Sequence, residues 1–317
     1  MENKVKIISM DTVEAEEIKW LWKPYIPFGK LTIIQGDPGE GKTTFALHIA
    51  ALLSQGKGFD GDTEPFEPVN VIYQTAEDGL ADTVKPRLVT AGADCSMVKV
   101  IDDTEKALSM VDERLEIAIR ETKAKLLILD PLQAYLGDRV DMNRANEVRN
   151  NTKKLAALAE RSGCAIILIG HLNKGSGAKA AYRGIGAVDF FAIARSVLLV
   201  ARVPNDSSIR AIAQIKNNLD IEGETMAFQL DEKGFTWIGE YDISADELLA
   251  GYFNNDKHKA AEDFLKKVLA NGQMVSASSI FAQAKTIGVS KRTIENVKQE
   301  LGIKSIKDGA SWIWRMD

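Results

Sequence analysis

The sequence predicts an α/β protein, a mainly parallel sheet extended by antiparallel strands, followed by a small helical domain. Three observations predict it. Residues 36–44 read Gly-Asp-Pro-Gly-Glu-Gly-Lys-Thr-Thr, between an apolar run at 31–35 and a helical pattern at 45–53. A glycine-rich loop that leaves a strand and opens a helix is a phosphate-binding loop. From 27 to about 170, strand-like and helix-like segments alternate, as a parallel sheet with crossover helices requires. The last sixty or so residues hold three helical patterns and a hairpin.

Within the first part, strands are expected at 31–35, 69–75, 98–102, 125–130 and 165–170. Helices are expected at 43–55, 79–91, 105–121 and 143–162, the last with Val148, Leu155 and Leu158 on one face. After 195 the segments 196–201, 209–216, 225–230 and 235–239 read as antiparallel strands added at the sheet edge, with turn-rich links between them. A boundary is expected at 251–257, where Asn254-Asn-Asp256 interrupts the apolar pattern. It divides the chain into an ATPase-type domain, 1–250, and a tail domain, 257–317. In the tail, Ala261, Phe264, Leu265, Val268 and Leu269 mark one helix. Ile280, Phe281, Ala284 and Ile287 mark a second. Ser290 N-caps a third that buries Ile294, Val297 and Leu301. The segments 303–306 and 311–315 flank Lys307-Asp-Gly-Ala as a hairpin, completing a winged helix-turn-helix.

Composition fits this division. The 317 residues are 45% hydrophobic, enough for a large core and a small one. No apolar run approaches the roughly 20 residues that span a bilayer, and the N-terminus lacks a signal-peptide pattern, so a cytoplasmic protein is expected. Cys95 and Cys164 are the only cysteines, which excludes a disulfide framework or zinc knuckle. Residues 256–317 carry 11 Lys/Arg and 7 Asp/Glu. A basic tail on an acidic body points towards nucleic acid.

The loop specifies its ligand. Gly36, Asp37, Pro38, Gly39, Glu40, Gly41, Lys42, Thr43 and Thr44 form the nucleotide cradle, with backbone N–H groups and a helix start turned to polyphosphate. Lys42 is expected on the β/γ-phosphates and Thr43 on Mg²⁺, so ATP and Mg²⁺ are the implied cofactors. The strand ending at Asp130 supplies the second metal residue. Pro131 follows it, so no acid adjoins Asp130 to activate water. Glu77, at the end of the neighbouring strand, is the candidate general base, with Asp78 capping the next helix; alternatively both acids only cap. His171, closing the strand at 165–170, is placed to sense the γ-phosphate, against the alternative of a structural histidine.

Pro-Phe-Gly-Lys before the loop, Ala-Glu-Asp after the second strand, Leu-Asp-Pro-Leu and Gly-His-Leu-Asn-Lys together resemble the RecA-fold ATPases of the hexameric replicative helicases. Plasmid and phage RepA-like members are the nearest in pattern, and the resemblance spans roughly 18–240. It implies a RecA-like core, a hexamer and DNA translocation or unwinding. Within it, Glu77 matches the catalytic glutamate, His171 the sensor, and Arg195 the arginine finger donated to a neighbouring subunit. Lys216 resembles the lysine of the terminal Lys-x-Arg motif, whose second basic position is Asn218 here. Arg183 and Arg202 compete with Arg195, which on its own pattern reads equally as a surface arginine opening a strand.

Two loops, 135–146 and 174–186, correspond to loops that line the channel in that family. Lys179, Tyr182 and Arg183 in the second suit single-stranded DNA, by charge and stacking; a plain surface loop is the alternative. In the tail, Lys291 and Arg292 open a helix suited to a DNA groove, or the module docks protein. Against the helicase stands a second reading, a non-unwinding ATP-dependent DNA-binding regulator or recombination mediator.

Overall fold

The computed structural model describes residues 7–59, 66–137, 145–171, 188–204, 206–232, 234–308 and 311–316. Two compact units divide the chain, Met1–Arg202 with Asp206–Ala245, and Asp246–Asp317 with Val203–Asn205. In the first, β1 (Trp20–Trp22) and β2 (Ile26–Pro27) form an antiparallel ribbon ahead of β3 (Leu31–Gly36). Then follow α1 (Lys42–Ser54), β4 (Val71–Thr75), α2 (Lys85–Thr90), β5 (Val98–Lys99), α3 (Glu113–Thr122) and β6 (Leu126–Asp130). The chain continues through α4 (Ala145–Ser162), β7 (Ala165–His171), α5 (Val188–Ile193), β8 (Ser196–Val203), β9 (Asp206–Asn217), β10 (Met226–Asp231) and β11 (Gly234–Glu240).

One nine-stranded sheet results, in the order β11-β10-β9-β8-β3-β7-β6-β4-β5. β8, β3, β7, β6, β4 and β5 run parallel; β9, β10 and β11 join antiparallel. The central strands are mostly apolar, with few polar residues such as Thr32, Gln35 and Gln74, because both faces are covered. On one face α1 and α2 pack with Phe45, Leu88 and Phe228; on the other α3, α4 and α5 pack with Leu115, Leu155 and Phe190. α1 is buried nearly all round, so it shows almost no polar face.

Several expectations need correction. The segment 196–201 is not antiparallel: β8 pairs in parallel with β3, Thr32 opposite Ser196, because α5 returns the chain in the original direction. Residues 105–112 are not helical. Asp112 N-caps α3, accepting from the Arg114 N–H at 2.9 Å, so the helix starts late. The expected strand at 98–102 shrinks to two residues at the sheet edge. The helix at 79–91 is split into a π-helical turn, Leu80–Val84, and α2.

The second unit holds α6 (Ala245–Val268), β12 (Val275–Ser276), α7 (Ala277–Thr286), α8 (Lys291–Glu300), β13 (Lys304–Asp308) and β14 (Ser311–Arg315). α6 runs unbroken through 251–257, so the polar Asn254-Asn-Asp256 stretch is helical and the units part near Ala245 instead. β12, β14 and β13 form an antiparallel sheet in that order. Ala261, Leu265, Leu269, Ile280, Ala284, Ile294, Val297 and Trp314 make its core. Ser290 caps α8, accepting from the Thr293 N–H. Ile287 lies past the end of α7 and is 48% exposed, not a core residue.

Candidate nucleotide-binding site

The carboxyl ends of β3, β4, β6 and β7 meet at the glycine-rich loop. Gly36 ends β3 where a Cβ would lie 2.1 Å from the Val200 carbonyl, so no larger residue fits. Gly41 opens α1 at φ +91°, a left-handed conformation that glycine adopts without strain. The next residue, Lys42, is 4% exposed, and its Nζ donates to the Asp37 carbonyl at 2.7 Å. Burial lowers its pKa, opposed by the charges of Asp130, Glu40, Asp37 and Glu77. What suits the site to an anionic ligand is the ammonium itself at the opening of α1, where the helix's free N–H groups also favour negative charge.

The structure brings Thr43 and Asp130 together: the threonine hydroxyl donates to Asp130 Oδ2 at 2.7 Å. Sequence reasoning missed a third member. Tyr73, fully buried on β4, donates its phenol to the same oxygen at 3.0 Å. Burial raises the Asp130 pKa, while the hydrogen bonds from Thr43 and Tyr73 work the other way. The tyrosine sits two residues before the end of β4, where alternation turns it inward; only the pairing of Thr75 with Asp130 reveals which neighbour it meets.

Glu77 follows β4, exposed, with its charge felt at both Lys42 and His171. His171 pairs in register with Gly36. Its Nδ1 is buried with no partner among the described residues, and burial lowers its pKa, followed by the charge of Lys42. Asp78 does not cap the next helix: it forms an ion pair with Arg87 on α2 at 2.8 Å, and Gly79 occupies the cap position. Arg202 is tied to its own loop. Its backbone N–H donates to Glu40 Oε2 at 2.6 Å and its Nη2 to the Gly39 carbonyl at 3.1 Å.

Arg195 lies elsewhere. It precedes β8, exposed, and its N–H donates to the carbonyl of Leu31, at the end of β3 remote from the loop. Lys216 is at the same end. Its Nζ donates to the carbonyls of Phe191 and Ala192 at 2.5 and 3.2 Å, closing the last turn of α5, and burial followed by the Arg195 charge lowers its pKa. The Asn218 N–H donates to the Arg195 carbonyl. Lys179, Tyr182 and Arg183 lie outside the described residues, as does most of the loop at 135–146. In the second unit Lys291 stands over the Phe281 ring at 4.9 Å and pairs with Glu295 at 3.8 Å; Arg292 is on α8 with its side chain outside the described residues.

The AAA domain family matches residues 2–177, which include the loop, Glu77, Asp130 and His171. The chain belongs to the AAA domain family. Its core is that of the RecA-like P-loop ATPases, with a large, mostly parallel sheet. It is 26% identical to the DNA repair protein RadA of Bacillus subtilis over 226 residues, 70% of this chain and 44% of that protein. Against RadA of Streptococcus pneumoniae the identity is 23% over 282 residues, 88% of this chain and 60% of that protein. Against the RecA protein of Synechocystis it is 27% over 154 residues, 47% of this chain and 40% of that protein. The chain thus spans less than two thirds of the length of each of these relatives. Among the described residues, no helix of this AAA-family chain is long and apolar enough to cross a membrane.

Proposed function

We propose that the chain is a Mg²⁺-dependent ATPase that works on DNA as a ring, most simply a hexamer, translocating on or unwinding the strand as a RepA-like helicase does. What carries the reading is the placement of charge at the two ends of one sheet. Lys42, Thr43, Asp130, Glu77 and His171 gather at the loop end. Arg195 and Lys216 stand at the other, about 16 Å away along β3 by the five-residue rise from Leu31 to Gly36. An arginine side chain cannot cover that distance, so Arg195 serves a nucleotide only on a neighbouring copy.

The chain's own residues fit the nucleotide and its ion. A buried lysine, a hydroxyl and a carboxylate are the oxygen-seeking and oxygen-offering groups that a magnesium triphosphate takes, and Mg²⁺ needs only one or two protein ligands. When bound, the ion neutralises charge on the phosphates. Lys42 and the loop amides hold the phosphates, Thr43 and Asp130 the ion, Glu77 accepts the proton of an attacking water, and His171 reads the γ-phosphate position. Pore contact falls to Lys179, Tyr182 and Arg183. The tail, three helices with a hairpin, is read as a winged helix that binds DNA through the face carrying Lys291 and Arg292.

Glu77→Gln tests the site: the variant should bind ATP as the parent does and lose turnover by ~10²–10⁴. Turnover at the parental rate would move the base to another residue. A second reading, a recombination mediator that does not unwind, is favoured by the RadA and RecA names of the relatives. Strand displacement on a forked duplex separates the two.

A further inference from the structure

Trp312 is 53% exposed, while Trp22 and Trp314 are buried and Trp20 and Trp237 half-buried. It stands on β14 directly opposite Lys307 of β13, as Trp314 stands opposite Ser305. Residues two apart on a strand share a face, so Trp312 continues the face on which Trp314 closes the core of this unit. The hairpin thus carries that face out past the core. Trp314 has Lys298 over its ring at 4.8 Å, and Phe281 has Lys291 at 4.9 Å. Among the described residues Trp312 has no ring or cation over it, and Lys307, also exposed, has no ion-pair partner.

We propose that Trp312 and Lys307 form a stacking ledge for one unpaired nucleobase of DNA, the indole taking the base and the ammonium its phosphate. The ledge rests on the reading that this chain acts on DNA and adds to it a second, separate grip on unpaired strand. Charge selects the occupant: residues 256–317 carry 11 Lys/Arg against 7 Asp/Glu, and Lys307 and Trp312 are cross-strand neighbours, with Cβ atoms about 5 Å apart, so one nucleotide can meet both side chains. Aromatic stacking beside a cation is the sequence-tolerant way to hold a single strand.

Tryptophan fluorescence of the full chain, titrated with an oligo-dT strand, reads the contact directly. Stacking should quench the emission of the parent. Trp312→Ala should abolish most of that quench and weaken binding roughly tenfold, while Trp312→Phe should lose the signal and keep most of the affinity. Lys307→Gln should lower the salt dependence of binding without removing the quench. Because Trp312 is exposed, a melting curve like the parent's shows that the variants fold. Full affinity in Trp312→Ala overturns the proposal and turns the ledge over to a protein partner. ATPase stimulation by the same oligonucleotide is measured alongside. Stimulation with unaltered Trp312→Ala binding sinks the ledge alone, and a parent that neither binds nor responds to DNA sinks the DNA reading with it.

Discussion

His48 offers a prediction whose size follows from the structure. It lies on α1, the helix that opens at Lys42, with its ring stacked on Phe235 at a centroid distance of 3.8 Å. Both ring nitrogens are buried with no hydrogen-bond partner among the described residues. Burial therefore pushes its pKa from 6.5 down to about 4. A depressed histidine pKa contributes stability that is whole above the unfolded pKa and is lost as pH falls towards the folded one, because the unfolded chain binds the proton first. With those two pKa values the loss at pH 5 is about 2 kcal/mol. In a unit of this size each kcal/mol moves the melting temperature by ~2–4 °C, so the histidine accounts for ~4–8 °C of the acid shift. His48→Phe keeps the stack on Phe235 and removes the titration. Thermal melts of both proteins at pH 7.5 and pH 5 should show a larger acid drop for the parent; the carboxylates titrate in both and cancel in the comparison. Parallel drops would refute the argument and place the imidazole in contact with water.

Tyr73→Phe removes one of the two donors on Asp130 Oδ2. A hydrogen bond to a charged group contributes ~1.5–3 kcal/mol, so a denaturant double-mutant cycle with Asp130→Ala should return a coupling of that order; a coupling near zero would mean that the phenol does not hold the carboxylate. Arg195→Ala and Glu77→Gln should each be inactive alone yet recover turnover when mixed, since one type of interface then pairs an intact arginine with an intact base. No recovery at any ratio would count against a shared site.

The loop was legible because its chemistry is local: glycines, lysine and hydroxyl lie within nine consecutive residues, and their flanking strand and helix are strongly patterned. The places of Asp130, Glu77 and His171, though not their roles, were legible for a related reason, since each ends or follows an apolar parallel strand and such ends converge. Tyr73 was not, because its meaning depends on which strand lies beside β4, and register between distant segments leaves no mark in either one. Asp78 was misplaced by the same blindness: an acid before a helical stretch looks like a cap until Arg87 comes within 2.8 Å. The direction of β8 was misread because an apolar strand has the same pattern whichever way it runs; the short α5 that settles it falls in a poorly patterned stretch. In the tail, the core positions of α6, α7 and α8 followed from helical spacing, whereas the continuity of α6 did not, since Asn and Asp weaken a helix without ending it.

Two arginines once in competition are separated by the strand they flank. Arg202 lies near the end of β8, beside the loop, and three contacts hold it there: its backbone N–H and Nε face the Glu40 carboxylate, and its Nη2 meets the Gly39 carbonyl. The Glu40 carboxylate is largely buried, so letting go would leave a charge without its partner. Arg202 is thereby a brace for its own loop and is not free to leave it. Arg195, before the first residue of the same strand, is bound among the described residues only through its backbone to Leu31 and Asn218, and its side chain is exposed. Residues 197–201 between them are buried, and 196–199 are laddered to β3, so neither end can swing to the other. One strand therefore offers a fixed arginine to its own loop and an exposed one to whatever meets the far end of the sheet. Of the two, only Arg195 has the freedom that a group acting between copies needs.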